Sequence, residues 1–271
     1  MNKTMKRKNY LTILLFAAAC ASTSILCSCG DDEPEIIPVS NGGGSSGGNS
    51  GGSSGSGSGG NSEGESGTTD GHEWINLGLP SGTLWATCNV GATKPEEYGD
   101  YFAWGETTGY KSGKTRFYWD TYKWCYGGSE VNLTKYCTDM NYGTVDDKTE
   151  LEPSDDAATV NWSKAWQTPS IDQVIELIDN TTSTYTSEKG VNGMKFTSKS
   201  NGQSIFLPAA GQNLGNDFLR KNDLGIYWTR SLYTNEVIKA YNLNFGSNGG
   251  MFSYYWDWRN HGNSVRPVRK K

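Results

Sequence analysis

All ten tryptophans of this 271-residue chain lie at or beyond Trp74, whereas 15 of its 35 glycines fall within the first 71 residues. That segregation limits where a core can form. Only the second stretch, His72–Lys271, has the large apolar side chains, and its 200 residues suffice for one domain that buries roughly 70–75% of its extended surface. Charge divides in the same way: four basic and no acidic side chains in 1–28, seven acidic and no basic in 29–71, and 20 basic against 22 acidic in 72–271, a net of −2. A nucleic-acid binder should carry a basic surplus. Here basic residues gather only as Arg266, Arg269, Lys270 and Lys271 at the C-terminus, so no nucleic-acid partner is expected.

Lys3, Lys6, Arg7 and Lys8 precede an uncharged run, Tyr10 to Ser28, centred on Leu11-Thr-Ile-Leu-Leu-Phe-Ala-Ala-Ala. This is the pattern of a secretory signal. The run falls short of the ~20 strongly apolar residues that a membrane span needs. Leu26-Cys27-Ser28-Cys29 resembles a bacterial lipobox, which makes Cys29 the acylated first residue of the mature chain; Cys20 is the competing site but lacks a Leu three residues upstream. Membrane attachment is then expected through the N-terminal lipid alone, at about 0.8 kcal/mol per buried CH₂. The acidic Gly30-Asp-Asp-Glu that follows resembles the signal sending lipoproteins of Bacteroides-like bacteria to the outer face of the outer membrane.

From Asn41 to Gly71 the chain is nearly all Gly, Ser and Asn. It has almost no apolar surface to offset the entropy of ordering, so a coil is expected. Gly30–Gly71 would span roughly 35–40 Å as a flexible chain. The resulting layout is a signal peptide over 1–28, an acylated Cys and disordered acidic linker over 29–71, and a ligand-binding domain over 72–271.

Within the domain, residues 168–179 place Ile171, Val174, Ile175 and Ile178 at helical spacing behind a Thr/Ser cap, predicting an amphipathic helix. Elsewhere short apolar or aromatic runs are broken by Gly, Asn, Asp and Pro: 73–77, 83–87, 101–104, 194–197, 204–207, 227–230, 240–245 and 264–269. These read as short strands. In 240–245, Tyr241, Leu243 and Phe245 should face one side and Asn242 and Asn244 the other. Pro267 marks the last strand as an edge or a bulge. The fold class is α+β with long loops.

Trp74-Ile-Asn-Leu-Gly-Leu-Pro-Ser-Gly-Thr-Leu-Trp-Ala-Thr-Cys-Asn-Val-Gly-Ala92 and Pro95-Glu-Glu-Tyr-Gly-Asp-Tyr-Phe-Ala-Trp-Gly-Glu-Thr107 resemble the Fibrobacter-type major paralogous domain of surface lipoproteins in Bacteroides-like bacteria. The resemblance continues through Trp166–Ser170, Ile205–Gly211, Tyr227–Ser231 and Gly262–Arg269. It implies a C-type-lectin-like fold, related to sulfatase-modifying enzymes and to the variable proteins that diversity-generating retroelements mutate. It also implies a ligand site between Tyr227 and His261.

Catalysis has little to stand on. His72 and His261 are the only histidines, and no Gly-x-Ser-x-Gly nucleophile motif lies near His261. The sulfatase-modifying relatives work through late cysteines, and none follows Cys137. Cys88, Cys125 and Cys137 stand in unrelated blocks, unlike closely spaced zinc ligands. A disulfide from Cys125 to Cys137 would stabilise by about 3 kcal/mol in the loop-entropy account; three reduced, buried thiols fit the sequence equally. The pairs Glu96-Glu97, Asp146-Asp147 and Asp155-Asp156 read as solvated loop charge rather than as glycosidase carboxylates facing across a cleft. No cofactor is expected. Calcium is the alternative, because C-type lectin folds often hold it and it needs six to eight oxygens; against it, the usual lectin signatures are missing and Tyr255-Trp-Asp-Trp258 is a distant echo.

The 246–261 loop concentrates Tyr, Trp, Arg and Asn, the residues that give rigid contact area and adaptable hydrogen bonds at binding surfaces. The expected site comprises Asn248, Met251, Tyr254, Tyr255, Trp256, Asp257, Arg259 and His261, with Arg230, Tyr233 and Asn235 as its companion surface. Trp256 and Trp258 should meet the ligand, while Trp74, Trp85, Trp104, Trp162, Trp166 and Trp228 fill the core. The function expected is non-covalent binding of a protein or glycan ligand. A structural envelope or fimbrial-type subunit, and an enzyme on the sulfatase-modifier scaffold, are the alternatives.

Overall fold

The computed structural model describes residues 65–247 and 251–271. The signal peptide, Cys29 and the linker up to residue 64 lie outside the described residues. The chain forms antiparallel sheets with few helices, an α+β or mostly β architecture. In chain order the strands are β1 (Ser66–Thr69), β2 (His72–Asn76), β3 (Thr83–Ala86), β4 (Thr181–Glu188), β5 (Val191–Ser198), β6 (Ser204–Pro208), β7 (Gln212–Leu214), β8 (Asp217–Leu219), β9 (Leu224–Leu232), β10 (Lys239–Gly246), β11 (Met251–Trp258) and β12 (Val268–Lys270). Helices α1 (Ala157–Asn161) and α2 (Ile171–Asn180) complete the fold. The sheets run β1-β2-β3-β12, β11-β10-β9, β4-β5-β6 and β7-β8.

The coil expected to reach Gly71 stops sooner. Ser66–Thr69 pair with β2 in a hairpin whose two-residue turn is Asp70-Gly71, both at positive φ (49° and 82°). Asp-Gly favours this turn because its twist matches that of the strands. Gly67 faces Trp74, and a Cβ there would lie 2.5 Å from the indole. The folded unit therefore takes in the end of the linker.

β9 and β10 are buried on both faces. Consecutive strand residues point to opposite sides, so Trp228 enters one core with Phe102, Trp104, Tyr122, Tyr136 and Ala240. Tyr227 enters the other with Trp85, Leu177, Phe196, Leu243 and Phe245. Helix α2 caps the second core. It starts at Ile171, three residues after the expected start, because Ser170 is the N-cap: its Oγ accepts from Gln173 N at 3.2 Å, and Gln173 Oε1 accepts from Ser170 N at 2.9 Å. This is a reciprocal capping box. Its buried residues are Val174 and Leu177, while Ile171 and Ile175 are only half-buried. Tyr101–Trp104 is not a strand; Phe102 makes a single bridge to Asn263, although all four side chains are buried. β12 is an edge strand, as Pro267 suggested.

Two of the six loop carboxylates are far from solvated. Asp156 is 2% exposed, caps α1 and accepts from Thr168 N (2.9 Å) and Thr168 Oγ1 (2.7 Å). Asp155 accepts from Tyr136 Oη at 2.7 Å and pairs with Lys135 and Lys123. Burial opposes its charge, yet these partners hold its carboxyl below the usual range.

The bridge considered between Cys125 and Cys137 does not form. Both are free thiols, as is Cys88. Cys125 Sγ donates to Ser129 O at 2.9 Å and Cys137 Sγ to Asp139 O at 3.1 Å, so each thiol is engaged by its own loop. Alkylation of the unreduced, denatured protein should label all three; peptide mapping that found Cys125 joined to Cys137 would contradict this arrangement.

Candidate ligand-binding face

Half of the segment expected to be a loop, 246–261, is strand β11 (Met251–Trp258), laid against β10. Cross-strand partners share a face, so the pairs Lys239↔Trp258 and Tyr241↔Trp256 put four side chains on one side of the sheet, with Ala240↔Asp257 on the other. On the first side, Leu243 and Phe245 are buried in the second core, whereas Tyr241 is half-buried. The expected alternation of Tyr241, Leu243 and Phe245 therefore holds, but only the last two are core.

Around Tyr241 the rings gather. Tyr233, in the turn after β9, lies offset-stacked with Trp256 (centroids 5.9 Å apart, planes at 26°) and edge-on to Tyr241 at 5.2 Å. Tyr255 extends the stack beyond Trp256 at 5.7 Å and 10°. Trp258 stands perpendicular to Trp256 at 6.3 Å. Offset-parallel and edge-on contacts are the favourable aromatic arrangements, so the rings hold one another in place without a covering layer. Tyr255 remains 47% exposed and Trp258 40%.

Lys239 fixes the floor of this face. Its Nζ sits 3.3 Å from the Trp256 ring centroid and 5.3 Å from that of Trp258, and pairs with Glu236 at 2.7 Å. A cation over indole is attracted by the ring quadrupole. Asn235 and Glu236 are exposed beside the stack, and Asn235 Nδ2 donates to Tyr233 Oη at 3.5 Å.

Asp257 points inward. Its carboxylate accepts from Asn263 Nδ2 at 2.8 Å and from Gln212, and lies 2.8 Å from His261 Nδ1. The His261 ring is set against Trp258 at 5.4 Å. A carboxylate fixing one imidazole nitrogen is half of a general-base arrangement, but no hydroxyl or thiol is hydrogen-bonded to His261 among the described residues.

The expected site thus divides. Tyr233, Asn235, Tyr255 and Trp256 come together, His261 touches Trp258, and Asp257 lies on the opposite side of the sheet, bonded to His261. Arg259 does not belong to it. It is 0% exposed; Nε donates to Tyr122 Oη, and the two terminal nitrogens donate to the carbonyls of Tyr136, Val237 and Lys135 at 2.9–3.0 Å. Arg230 is also diverted: it pairs with Glu150 at 2.6 Å and reaches Thr168 O at 3.4 Å. Asn248 and the side chains of Met251 and Tyr254 lie outside the described residues. Glu236 closes the expected companion surface, whereas Lys239 and Tyr241 were not expected at the site. The period-two pattern that places Tyr241 on a face places Lys239 there too, but their partners in β11, although rich in strand-forming aromatics, were read as part of the Gly- and Asn-rich loop beside them.

The core tryptophans fall largely as expected: Trp85, Trp104, Trp166 and Trp228 are buried, and Trp74 and Trp162 half-buried. Among the described residues no three His, Cys, Asp or Glu side chains gather as a metal site would require, and no helix is long and apolar enough to cross a membrane. No family model, curated protein or solved structure matches this chain.

Proposed function

We propose that this chain is a surface-anchored lipoprotein of the outer membrane, facing the cell exterior, whose C-type-lectin-like domain binds a glycan non-covalently. The observation that carries the reading is the row of touching rings Tyr233, Trp256, Tyr255 and Trp258 along the edge strand β11, partly open to solvent. Pyranose rings present flat patches of C–H that pack on aromatic faces, and the polar rim of Asn235 and Glu236 suits hydroxyl groups. Rigid aromatic side chains lose little entropy on binding. The lipobox and acidic linker support the surface placement, and the blocks quoted above together with the few-helix antiparallel architecture support the lectin-like fold. The reading is non-catalytic and assigns no cofactor.

The test is a glycan array followed by titration of the best carbohydrate with Tyr255→Ala and Trp258→Ala. Each truncated ring should weaken binding about tenfold, since an aromatic stack contributes roughly 0.5–1.5 kcal/mol beyond its buried area. A carbohydrate bound equally well by both folded variants would overturn the site. An array without hits, together with a protein ligand lost on the same substitutions, would keep the face and replace the glycan.

A further inference from the structure

A second concavity lies away from the aromatic face and shares no residue with it. Its volume is about 480 Å³, within the range of small-ligand pockets. It opens between the 96–111 segment, Val191, and Phe218 and Lys221 in and just after β8. Phe218 is its centre: Tyr101 and Tyr110 meet that ring edge-on at 4.9 and 4.7 Å. Tyr101 turns its hydroxyl away, donating to Ala210 O at 2.6 Å, so the phenol presents carbon to the cavity.

Two cations face this apolar wall without a counter-ion. Lys221 Nζ rests 3.6 Å from the Phe218 centroid and 5.7 Å from that of Tyr101. Lys111 Nζ donates to the Gly91 carbonyl at 3.4 Å. Among the described residues neither lysine is in an ion pair. Of the two carboxylates that border the cavity, Glu96 is neutralised by a lysine outside it, and Glu97 keeps its charge but is tied by hydrogen bonds to Thr93. Glu96 pairs with Lys189 at 3.0 Å, and Glu97 Oε2 accepts from Thr93 N at 2.8 Å and Thr93 Oγ1 at 3.2 Å. Asp223, close in sequence to Lys221, is held by Arg220 at 2.9 Å. Partial burial and the charge of Lys111 both push the Lys221 ammonium below its ordinary value. Two like charges beside an aromatic wall are relieved by one anion placed between them.

We infer that this cavity binds a small organic anion, a carboxylate carried on a flat apolar body, with the carboxylate between Lys111 and Lys221 and the body against Phe218, Tyr101 and Tyr110. An inorganic anion would leave the aromatic wall unused, and a neutral ring would leave the lysines unpaired.

The probes are phenylacetate, its neutral amide phenylacetamide, the cation phenethylamine and inorganic sulfate, titrated against the full chain by ligand-observed NMR. Phenylacetate should saturate, with phenylacetamide about tenfold weaker or more and phenethylamine and sulfate not competing. Lys221→Met keeps the stem over Phe218 but removes the charge, and should weaken phenylacetate about tenfold with unchanged thermal stability. Trp258→Ala should leave phenylacetate binding unaltered, which separates this cavity from the glycan face. Failure of phenylacetate to saturate, equal binding by Lys221→Met, or equal binding of the amide or the amine would each overturn the inference.

Discussion

Replacing Arg259 with alanine is expected to destabilise the fold by about 4 kcal/mol or more, a large part of the roughly 5–15 kcal/mol that holds a domain together. Among the described residues the guanidinium has no carboxylate partner; it is held by three carbonyl oxygens and the Tyr122 hydroxyl, with Trp104 4.9 Å from its centre. Truncation leaves those buried acceptors with no donor, at about 1–3 kcal/mol each, and opens a cavity besides. Because 259 lies between β11 and the Phe102 segment, which also bonds Trp104 N to Arg259 O at 2.8 Å, the loss should spread into the first core. Urea unfolding measures it. Arg259→Met fills much of the volume while still orphaning the carbonyls, and should lose about 3 kcal/mol; Arg259→Lys, which retains one charged donor, should lose less than either. An alanine variant as stable as the parent would show that the side chain is not a structural clamp. A ligand-contacting arginine on the surface would behave in that way, with binding lost and stability kept.

The second large effect is at Asp156. Its carboxylate caps α1 through Ala158 N (2.9 Å) and Thr159 N (3.4 Å), and also takes both the backbone N–H and the hydroxyl of Thr168. One buried side chain thus joins a short helix to the segment that leads into α2. A lost cap costs about 1 kcal/mol, and two orphaned buried donors cost about 1–3 kcal/mol each, so Asp156→Ala should lose roughly 3 kcal/mol or more. Asp156→Asn keeps an acceptor but brings donors with nothing to receive them, and should fall between the two. The measurement is the same unfolding midpoint; a shift worth under about 0.5 kcal/mol, the range of ordinary surface substitutions, would disprove the clamp.

Strands with strong apolar alternation, such as β5, β9 and β10, were legible in the sequence because packing and local pattern agree there. β4 was not: Thr-Thr-Ser-Thr-Tyr-Thr-Ser-Glu is an edge strand, mostly open to solvent, whose polar residues are indistinguishable from a loop until its partner β5 is known. β11 was missed for a different reason: it follows β10 after only four residues, but the run Gly246-Ser-Asn-Gly-Gly before it and the polar residues within it read as one continuous loop. The turn at Asp70-Gly71 was readable, but the Gly/Ser composition upstream outweighed it. Among the site residues, the aromatics were found by composition alone. Arg259 and Asp156 were misplaced by the rule that charges stay in water, a rule that yields where buried carbonyls or N–H groups converge on a charge. No local pattern announces that convergence, because the partners of Arg259 come from residues more than a hundred positions away as well as from nearby Val237.

The hairpin at the amino end also sets how the domain carries load. β1 is the outermost strand of its sheet, bonded on one side only, to β2. Any tension arriving along the preceding chain first meets Glu65, whose carbonyl accepts from Asn76 N at 2.8 Å and whose carboxylate pairs with Lys271 at 3.6 Å, and then passes to Ser66, opposite Ile75. Peeling would break the pairs one after another, from Ser66 towards Thr69. The later pairs are reinforced: Trp74 Nε1 bonds Thr69 Oγ1 at 3.2 Å, Trp166 Nε1 bonds Thr69 O at 3.3 Å, and Asp70 accepts from Ser163 at 2.6 Å. β1 is thus an edge arm tied down at both ends, by Glu65 where a pull begins and by the bonds of Thr69 and Asp70 at the turn, and it would peel from β2 before the load reached the rest of the sheet.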